Sequence, residues 1–336
     1  EVFSISGIGH RQTTTMEKFN LHVLGCGSAQ PTLRHHQTSQ VLNIHEKLFM
    51  IDCGEGTQQQ LRTTHLSFSR LNHIFISHLH GDHCFGLIGL ISTFSLLGRT
   101  KSLHVYAPSE LEGLMRPQLQ FFCNGIMAFD VVFHPFSTKK GAVIYEDRTI
   151  SVETIPLRHR MPCCGFIFRE KPALPHIKRD MIDYLGIPHF EINRIKLGGD
   201  WTKADGTVVP HHMLVTPPRA ARSYAYLSDT AFLPERAPLI KNVSVLFHEA
   251  TFATSAAARA TQTMHSTAAQ AAQMAKLANC GKLIIGHFSS RYENEDVLLE
   301  ESREIFPNTM LAYEGMQLEI GNDESRSEER RVGKEC

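Results

Sequence analysis

The residues best equipped for chemistry lie together in Ser77-His-Leu-His-Gly-Asp-His83, an HxHxDH cluster. Imidazole and carboxylate suit zinc. His78 and His80, two positions apart, can reach one ion together, and Asp82 and His83 just beyond can serve a second nearby. The chain holds twenty histidines, and a lone histidine is usually a satisfied core or surface residue. Three histidines and an aspartate in six positions are another matter, because such ligand density seldom occurs without metal. Four residues cannot close two catalytic sites. The remaining ligands must come from elsewhere in the chain.

Several apolar runs finish on, or lead to, a polar residue able to hold a metal. His73-Ile-Phe-Ile-Ser-His78 ends on His78, Ser151–Leu157 leads to His159, and Tyr224-Ala-Tyr-Leu-Ser-Asp229 ends on Asp229. Val243–His248 and Leu283–His287 do the same. Buried strands that deliver polar residues at their ends build a rim of ligands above an apolar core. Helices are expected at Gly56–Thr64, Phe85–Leu97 and Thr267–Ala278. The last opens on Thr267-Ala-Ala-Gln270, a capping box in which Thr267 and Gln270 satisfy backbone N–H groups reciprocally. Lys171–Pro218 differs from the rest, with turn signals at Leu185-Gly-Ile-Pro188, Leu197-Gly-Gly-Asp200 and Ala204-Asp-Gly-Thr207. It reads as an arm inserted into, and protruding from, the core rather than as a separate domain.

The 336 residues are 42% hydrophobic, enough for a sizeable core. The longest apolar runs are strand-sized, so no membrane span is expected. Eight cysteines without a CxxC fit a reduced, cytoplasmic chain. Formal net charge is zero, but from Arg158 to Arg222 eleven Lys and Arg face six Asp and Glu. A local basic patch of this kind can bind phosphate on a neutral chain. Met16 precedes the first strand-like segment and is expected to open the fold, which then runs over 16–321. Residues 1–15 and 322–336 are expected to be extraneous, the latter disordered; Arg326–Cys336 resembles a translated sequencing adapter.

The flanking phrases carry a family resemblance. His78, His80, Asp82 and His83 look like the signature of metallo-β-lactamase-fold hydrolases. Leu24-Gly-Cys-Gly-Ser-Ala-Gln-Pro-Thr32, Asp52-Cys-Gly-Glu-Gly-Thr-Gln58, His248-Glu-Ala-Thr-Phe252, His265-Ser-Thr267 and His287-Phe-Ser-Ser-Arg-Tyr292 resemble the ribonuclease Z family. That resemblance spans nearly all of Phe19–Leu318. It implies an α/β fold, a four-layer αββα sandwich, with two zinc ions per chain. His78, His80 and His159 would hold the first zinc. Asp82, His83 and His287 would hold the second, with Asp229 shared. It further implies cleavage of precursor tRNA to leave a 3′-hydroxyl on the tRNA and a 5′-phosphate on the trailer. Asp82 would also accept the proton of the attacking water, and His265 would protonate the leaving oxygen. The family is usually homodimeric. Ser289 and Arg291 are candidate phosphate contacts.

Two departures stand out. The family loop PxKxRN reads Pro31-Thr-Leu-Arg-His-His36, so Leu33, His35 and His36 replace its lysine, arginine and asparagine. Arg34, one place earlier, is the candidate compensating substrate contact. The Gly-Pro motif of the family arm is replaced by Leu185-Gly-Ile-Pro-His-Phe-Glu191. Asp52 reads as an acceptor orienting a ligand histidine, and Gly54 and Gly56 as turn glycines. His248 and Glu249 are either a strand-end hydrogen-bonding pair or catalysts. A small-molecule hydrolase on the same fold has no need of a basic arm, and a non-catalytic scaffold has no need of seven ligands.

Overall fold

The computed structural model describes residues 17–123 and 127–321. Met16 and the segments 1–15 and 322–336 lie outside the described residues. Two seven-stranded sheets organise the rest. The first runs, in spatial order, Gln317–Glu319, Phe19–Gly25, Ser39–Ile44, Lys47–Ile51, Leu71–Phe75, Leu103–Pro108 and Val131–Phe136. The second runs Thr309–Leu311, Lys282–Gly286, Val245–Glu249, Ser223–Leu227, Cys164–Glu170, Ile150–Pro156 and Val143–Glu146. Phe49, Phe75, Phe166, Phe168, Tyr224 and Tyr226 belong to the apolar cluster that joins their strands.

Each sheet has a helical cover. Leu61, Leu87, Leu90, Ile91, Leu111 and Met115, all on helices, share one buried cluster with Met50, Ile74 and Val105 of the first sheet. On the second sheet the cover is Ala268–Leu277, whose Ala271, Ala272 and Ala275 are buried. The small side chains let that helix sit close to the strands. These layers make the expected αββα sandwich. The capping box forms as expected, with Thr267 Oγ1 accepting from Gln270 N and Gln270 Oε1 accepting from Thr267 N.

Four strands in each sheet run parallel, and parallel strands collect their following loops at one end. Asp52 follows Lys47–Ile51, Asp229 follows Ser223–Leu227, and His287 follows Lys282–Gly286. Ligand sites of parallel sheets lie at these carboxyl ends. Two strand boundaries differ from expectation. The run toward His78 leaves its strand at Phe75, because Ser77 N–H turns to donate to the Asp52 carboxylate at 2.7 Å. The strand expected to end on His248 continues to Glu249, which places His248 inside the sheet opposite Ile285.

Residues 171–218 join two antiparallel neighbours of the second sheet, Cys164–Glu170 and Ser223–Leu227. They contain the short helices Arg179–Leu185, Ile192–Lys196 and His211–Leu214 and two two-stranded ribbons. Ile187, Ile195, Val209, Leu214 and Val215 form their own apolar cluster. The basic excess read from the sequence needs correction here. Within 171–218 six Lys and Arg face five Asp and Glu, so the surplus belongs to the flanks. One of those flanking residues, Arg222, is fully buried and bound to Glu170 at 2.5 and 2.9 Å. Among the described residues no helix is long and apolar enough to cross a membrane.

Candidate functional site

Asp52 anchors the site from beneath. It is fully buried in a left-handed conformation (φ 57°) and accepts from Ser77 N at 2.7 Å, Ser77 Oγ at 2.9 Å and Tyr226 OH at 2.7 Å. Its remaining contact is His83 Nδ1 at 2.7 Å. A carboxylate receiving that N–H leaves the Nε2 lone pair free to bind metal. Asp52 therefore orients His83, one of the candidate ligands. The glycines nearby have a packing reason as well. A Cβ on Gly86 would lie 2.1 Å from Gly54 O, so only glycine lets that helix start against the motif's backbone.

The other histidines are oriented in the same way. His78 Nδ1 meets Ser77 Oγ at 3.0 Å, His159 Nδ1 donates to Met264 O at 3.1 Å, and His287 Nδ1 meets Thr251 Oγ1 at 2.9 Å. Each Nε2 is thereby turned toward one carboxylate, Asp229. Its Oδ1 lies 3.9 Å from His78 Nε2 and 3.8 Å from His159 Nε2. Its Oδ2 lies 3.0 Å from His83 Nε2 and 3.2 Å from His287 Nε2. Two donor sets result. One is His78, His80, His159 and Asp229; the other is Asp82, His83 and His287. All seven expected residues are brought together.

These residues fit a pair of cations. The Nε2 atoms of His83 and His287 are buried without a hydrogen-bond partner although carboxylate oxygens lie nearby. Convergent lone pairs of that kind need a positive charge between them. The local field agrees. Burial opposes a charge on His83, yet Asp229, Asp52 and Asp82 together push its pKa well above the usual value. Burial likewise works against ionised Asp82, and His83 and His287 more than offset it, holding the carboxyl well below its usual range. Asp229 and His287 also hold left-handed torsions, φ 53° and 60°. Such strain persists only where the surrounding structure over-determines it.

Over 307 residues the chain is 60% identical to the ribonuclease Z of Bacteroides thetaiotaomicron, covering 91% of this chain and 97% of that protein. It is 47% identical over 305 residues to the ribonuclease Z of Porphyromonas gingivalis, covering 91% of this chain and all of that protein. The chain belongs to the ribonuclease Z family. Among solved structures, human tRNase Z, short form, aligns with a TM-score of 0.65 at 25% identity, covering 90% of this chain and 99% of that one. The metallo-β-lactamase-fold protein YhfI of Bacillus subtilis shares the fold, with a TM-score of 0.63 at 16% identity over 90% of this chain and 100% of that one. A family model described as anti-Pycsar protein Apyc1 matches residues 19–175. That stretch holds His78–His83 and His159 but ends before Asp229 and His287.

The two donor sets of this ribonuclease Z relative open into a cavity of about 750 Å³. Ser289 and Arg291, the candidate phosphate contacts, line it. Arg34 is not among the lining residues. Its guanidinium is held instead by Glu295, at 2.9 Å, and by the Tyr292 carbonyl. The sequence reading missed Arg160, Arg259 and Phe85, which line the cavity. Their only sequence signal was proximity to the motifs. Phe85 is 70% exposed, unusual for phenylalanine.

His265 lines the same cavity, and Glu249 explains it. The fully buried Glu249 accepts from Thr251 Oγ1 at 2.5 Å, Ser266 N at 3.1 Å and His265 Nδ1 at 3.0 Å. Burial alone would lower the His265 pKa, but Glu249, aided by Asp229 and Asp82, holds it at about 9. Glu249 thus serves His265. His248 is turned away, donating from Nδ1 to the Glu249 carbonyl at 2.7 Å inside the sheet.

Proposed function

We propose that this chain is a zinc-dependent endoribonuclease that removes the 3′ trailer from precursor tRNA, leaving a 3′-hydroxyl on the tRNA and a 5′-phosphate on the trailer. The observation that carries the metal chemistry is Asp229, whose two carboxylate oxygens face two separate donor sets. His78, His80 and His159 would hold one zinc, Asp82, His83 and His287 the other. When bound, such a pair supplies Lewis acidity and a water of lowered pKa. Every other task falls to the chain itself.

Asp82 lines the cavity as a carboxylate and is the acceptor for the proton of the attacking water. Glu249 orients His265 and pushes its pKa up, favouring the protonated imidazole, so His265 is the group placed to donate to the leaving 3′ oxygen. Arg160, Arg259, Arg291 and Ser289 offer donors to phosphates flanking the scissile bond. Phe85 presents an exposed ring on which a splayed base can stack. A lactam or thioester would use few of these groups. Arg34, engaged by Glu295, positions its loop rather than touching RNA. The cytoplasm is the compartment that fits eight cysteines without a CxxC, and a homodimer is the assembly the family resemblance implies. The test is purified protein with a 3′-extended tRNA transcript, with and without chelator, with analysis of product ends. Cleavage should stop with chelator and return with zinc. Full cleavage by protein with metal content near zero would sink the proposal.

A further inference from the structure

Behind the loop that carries Ser28 to Gln37 lies another set of donors, shared with neither catalytic group. Cys26 is fully buried, and its Sγ lies 3.4 Å from His35 Nδ1 and 3.6 Å from Glu314 Oε1. His35 Nδ1 lies 3.3 Å from that same Glu314 oxygen and 3.1 Å from its partner. A sulfur, a nitrogen and an oxygen therefore converge from the first strand's turn, the following loop and the turn before the last strand. These separations are informative. Donors bound tetrahedrally at zinc distances sit roughly 3.3–3.8 Å apart. The observed edges of 3.3, 3.4 and 3.6 Å fall within that range.

Orientation supplies an independent argument. His35 Nε2 lies 3.2 Å from Glu295 Oε1, and Glu295 is itself held by Arg34 at 2.9 Å. A carboxylate that takes the Nε2 proton leaves the Nδ1 lone pair directed at Cys26 and Glu314. Asp52 does the same for His83, with the two ring nitrogens exchanged. Glu314 is fixed too, since its Oε1 accepts from His36 N at 2.9 Å and Cys26 N at 3.4 Å. Glu295 and Glu314 both face His35, and one arginine pairs with Glu295, so a cation in place of a proton on His35 Nδ1 keeps the cluster's charge balanced.

The geometry points to a third metal site, in which Cys26, His35 and Glu314 bind one thiophilic divalent cation of the zinc class. The ion replaces the thiol proton of Cys26 and any proton on His35 Nδ1, and both protons leave to solvent. Bound there, it ties the Gly-rich turn and the Glu314 turn to the loop whose Ser28, Ala29, Gln30 and Gln37 line the catalytic cavity. His35 stands where the PxKxRN pattern has arginine, which gives that departure a use. The site does not depend on RNA being the substrate.

Cobalt(II) decides the matter, because the two catalytic donor sets contain only nitrogen and oxygen. Metal-stripped full-length protein titrated with cobalt alone should develop a thiolate-to-cobalt charge-transfer band in the near ultraviolet. Cys26→Ser and His35→Ala should each remove that band and one equivalent of bound metal, while the visible bands of the nitrogen and oxygen sites persist. His35→Ala keeps the buried thiol in place, so it decides if Cys26→Ser folds poorly. Cys84→Ala should keep the band, although Cys84 Sγ lies 3.3 Å from His80 O beside the catalytic ligands. Wild-type protein without a thiolate band at saturating cobalt would overturn the proposal by itself. So would a band that survives His35→Ala or vanishes in Cys84→Ala. Loss of RNA cleavage with the band intact would count against the proposed function and leave this site standing.

Discussion

At the rim of the candidate site, Asp52, Asp229 and His287 all hold left-handed torsions and every candidate ligand histidine but His80 has its Nδ1 held by a neighbour outside the donor sets. In the arm, 171–218, five buried apolar residues hold the segment together, and Tyr184, Phe190 and Leu197 stand exposed. Each left-handed non-glycine residue costs on the order of 1–3 kcal/mol. Two seven-stranded sheets can absorb that cost, whereas a five-residue cluster cannot. Atomic positioning is confined to the part of the chain with a large core. With exposed Tyr184, Phe190 and Leu197 and a near-neutral charge, the arm suits a broad surface contact that tolerates some movement.

The strongest way to break this division is at the rim. Asp82→Ala should reduce turnover on precursor tRNA by about 10⁴-fold or more, as removal of one member of a cooperating catalytic set does. Circular dichroism should show the fold retained. An unaffected rate would remove Asp82 from the chemistry. His265→Ala comes next, with an expected loss of about 10²–10⁴-fold on RNA, typical of a missing general acid. A nitrophenyl phosphodiester needs little protonation of its leaving group and should lose much less. Equal losses on both substrates would assign His265 to phosphate binding instead.

A smaller effect is expected one layer down. Asp52→Asn keeps the size of the side chain but loses the charge facing His83, and should weaken metal affinity by about 10–100-fold. Competition with a chelating dye measures it, and unchanged affinity would reduce Asp52 to a packing role. Replacing 171–218 with a short Gly-Ser linker should leave metal content and small-diester hydrolysis unchanged while tRNA affinity falls several-fold. The salt dependence of binding should flatten only modestly, because six Lys and Arg leave with five Asp and Glu. Loss of both activities would show that the arm is part of the catalytic fold. Unchanged affinity would place the RNA on the cavity arginines.

Much of the candidate site was legible without coordinates. HxHxDH, the Thr267 cap and the strand-end polar residues are local patterns, read over a few positions where spacing dictates geometry. The helix Glu110–Phe122 was not legible, because Gly113 and Pro117 mask a signal that Leu111, Met115 and Leu119 make real by packing on the first sheet. Phe85, Arg160 and Arg259 were missed for a related reason, since only the assembled cavity distinguishes them from other surface residues.

By itself the sequence determined which residue types could bind metal, where the strands would deliver them, and which family motifs they belong to. Only the tertiary structure decided how those residues pair. Asp52 meets His83 across 31 positions, Glu249 meets His265 across 16, and Cys26 meets Glu314 across 288. It also decided that Arg34 faces Glu295 rather than the cavity, and that the two oxygens of Asp229 face different donor sets. The physical reason is register. Contacts between distant segments depend on which strands are neighbours and on their alignment, and a slip of one residue turns every side chain to the opposite face. No short pattern carries that information; the packing of two sheets does.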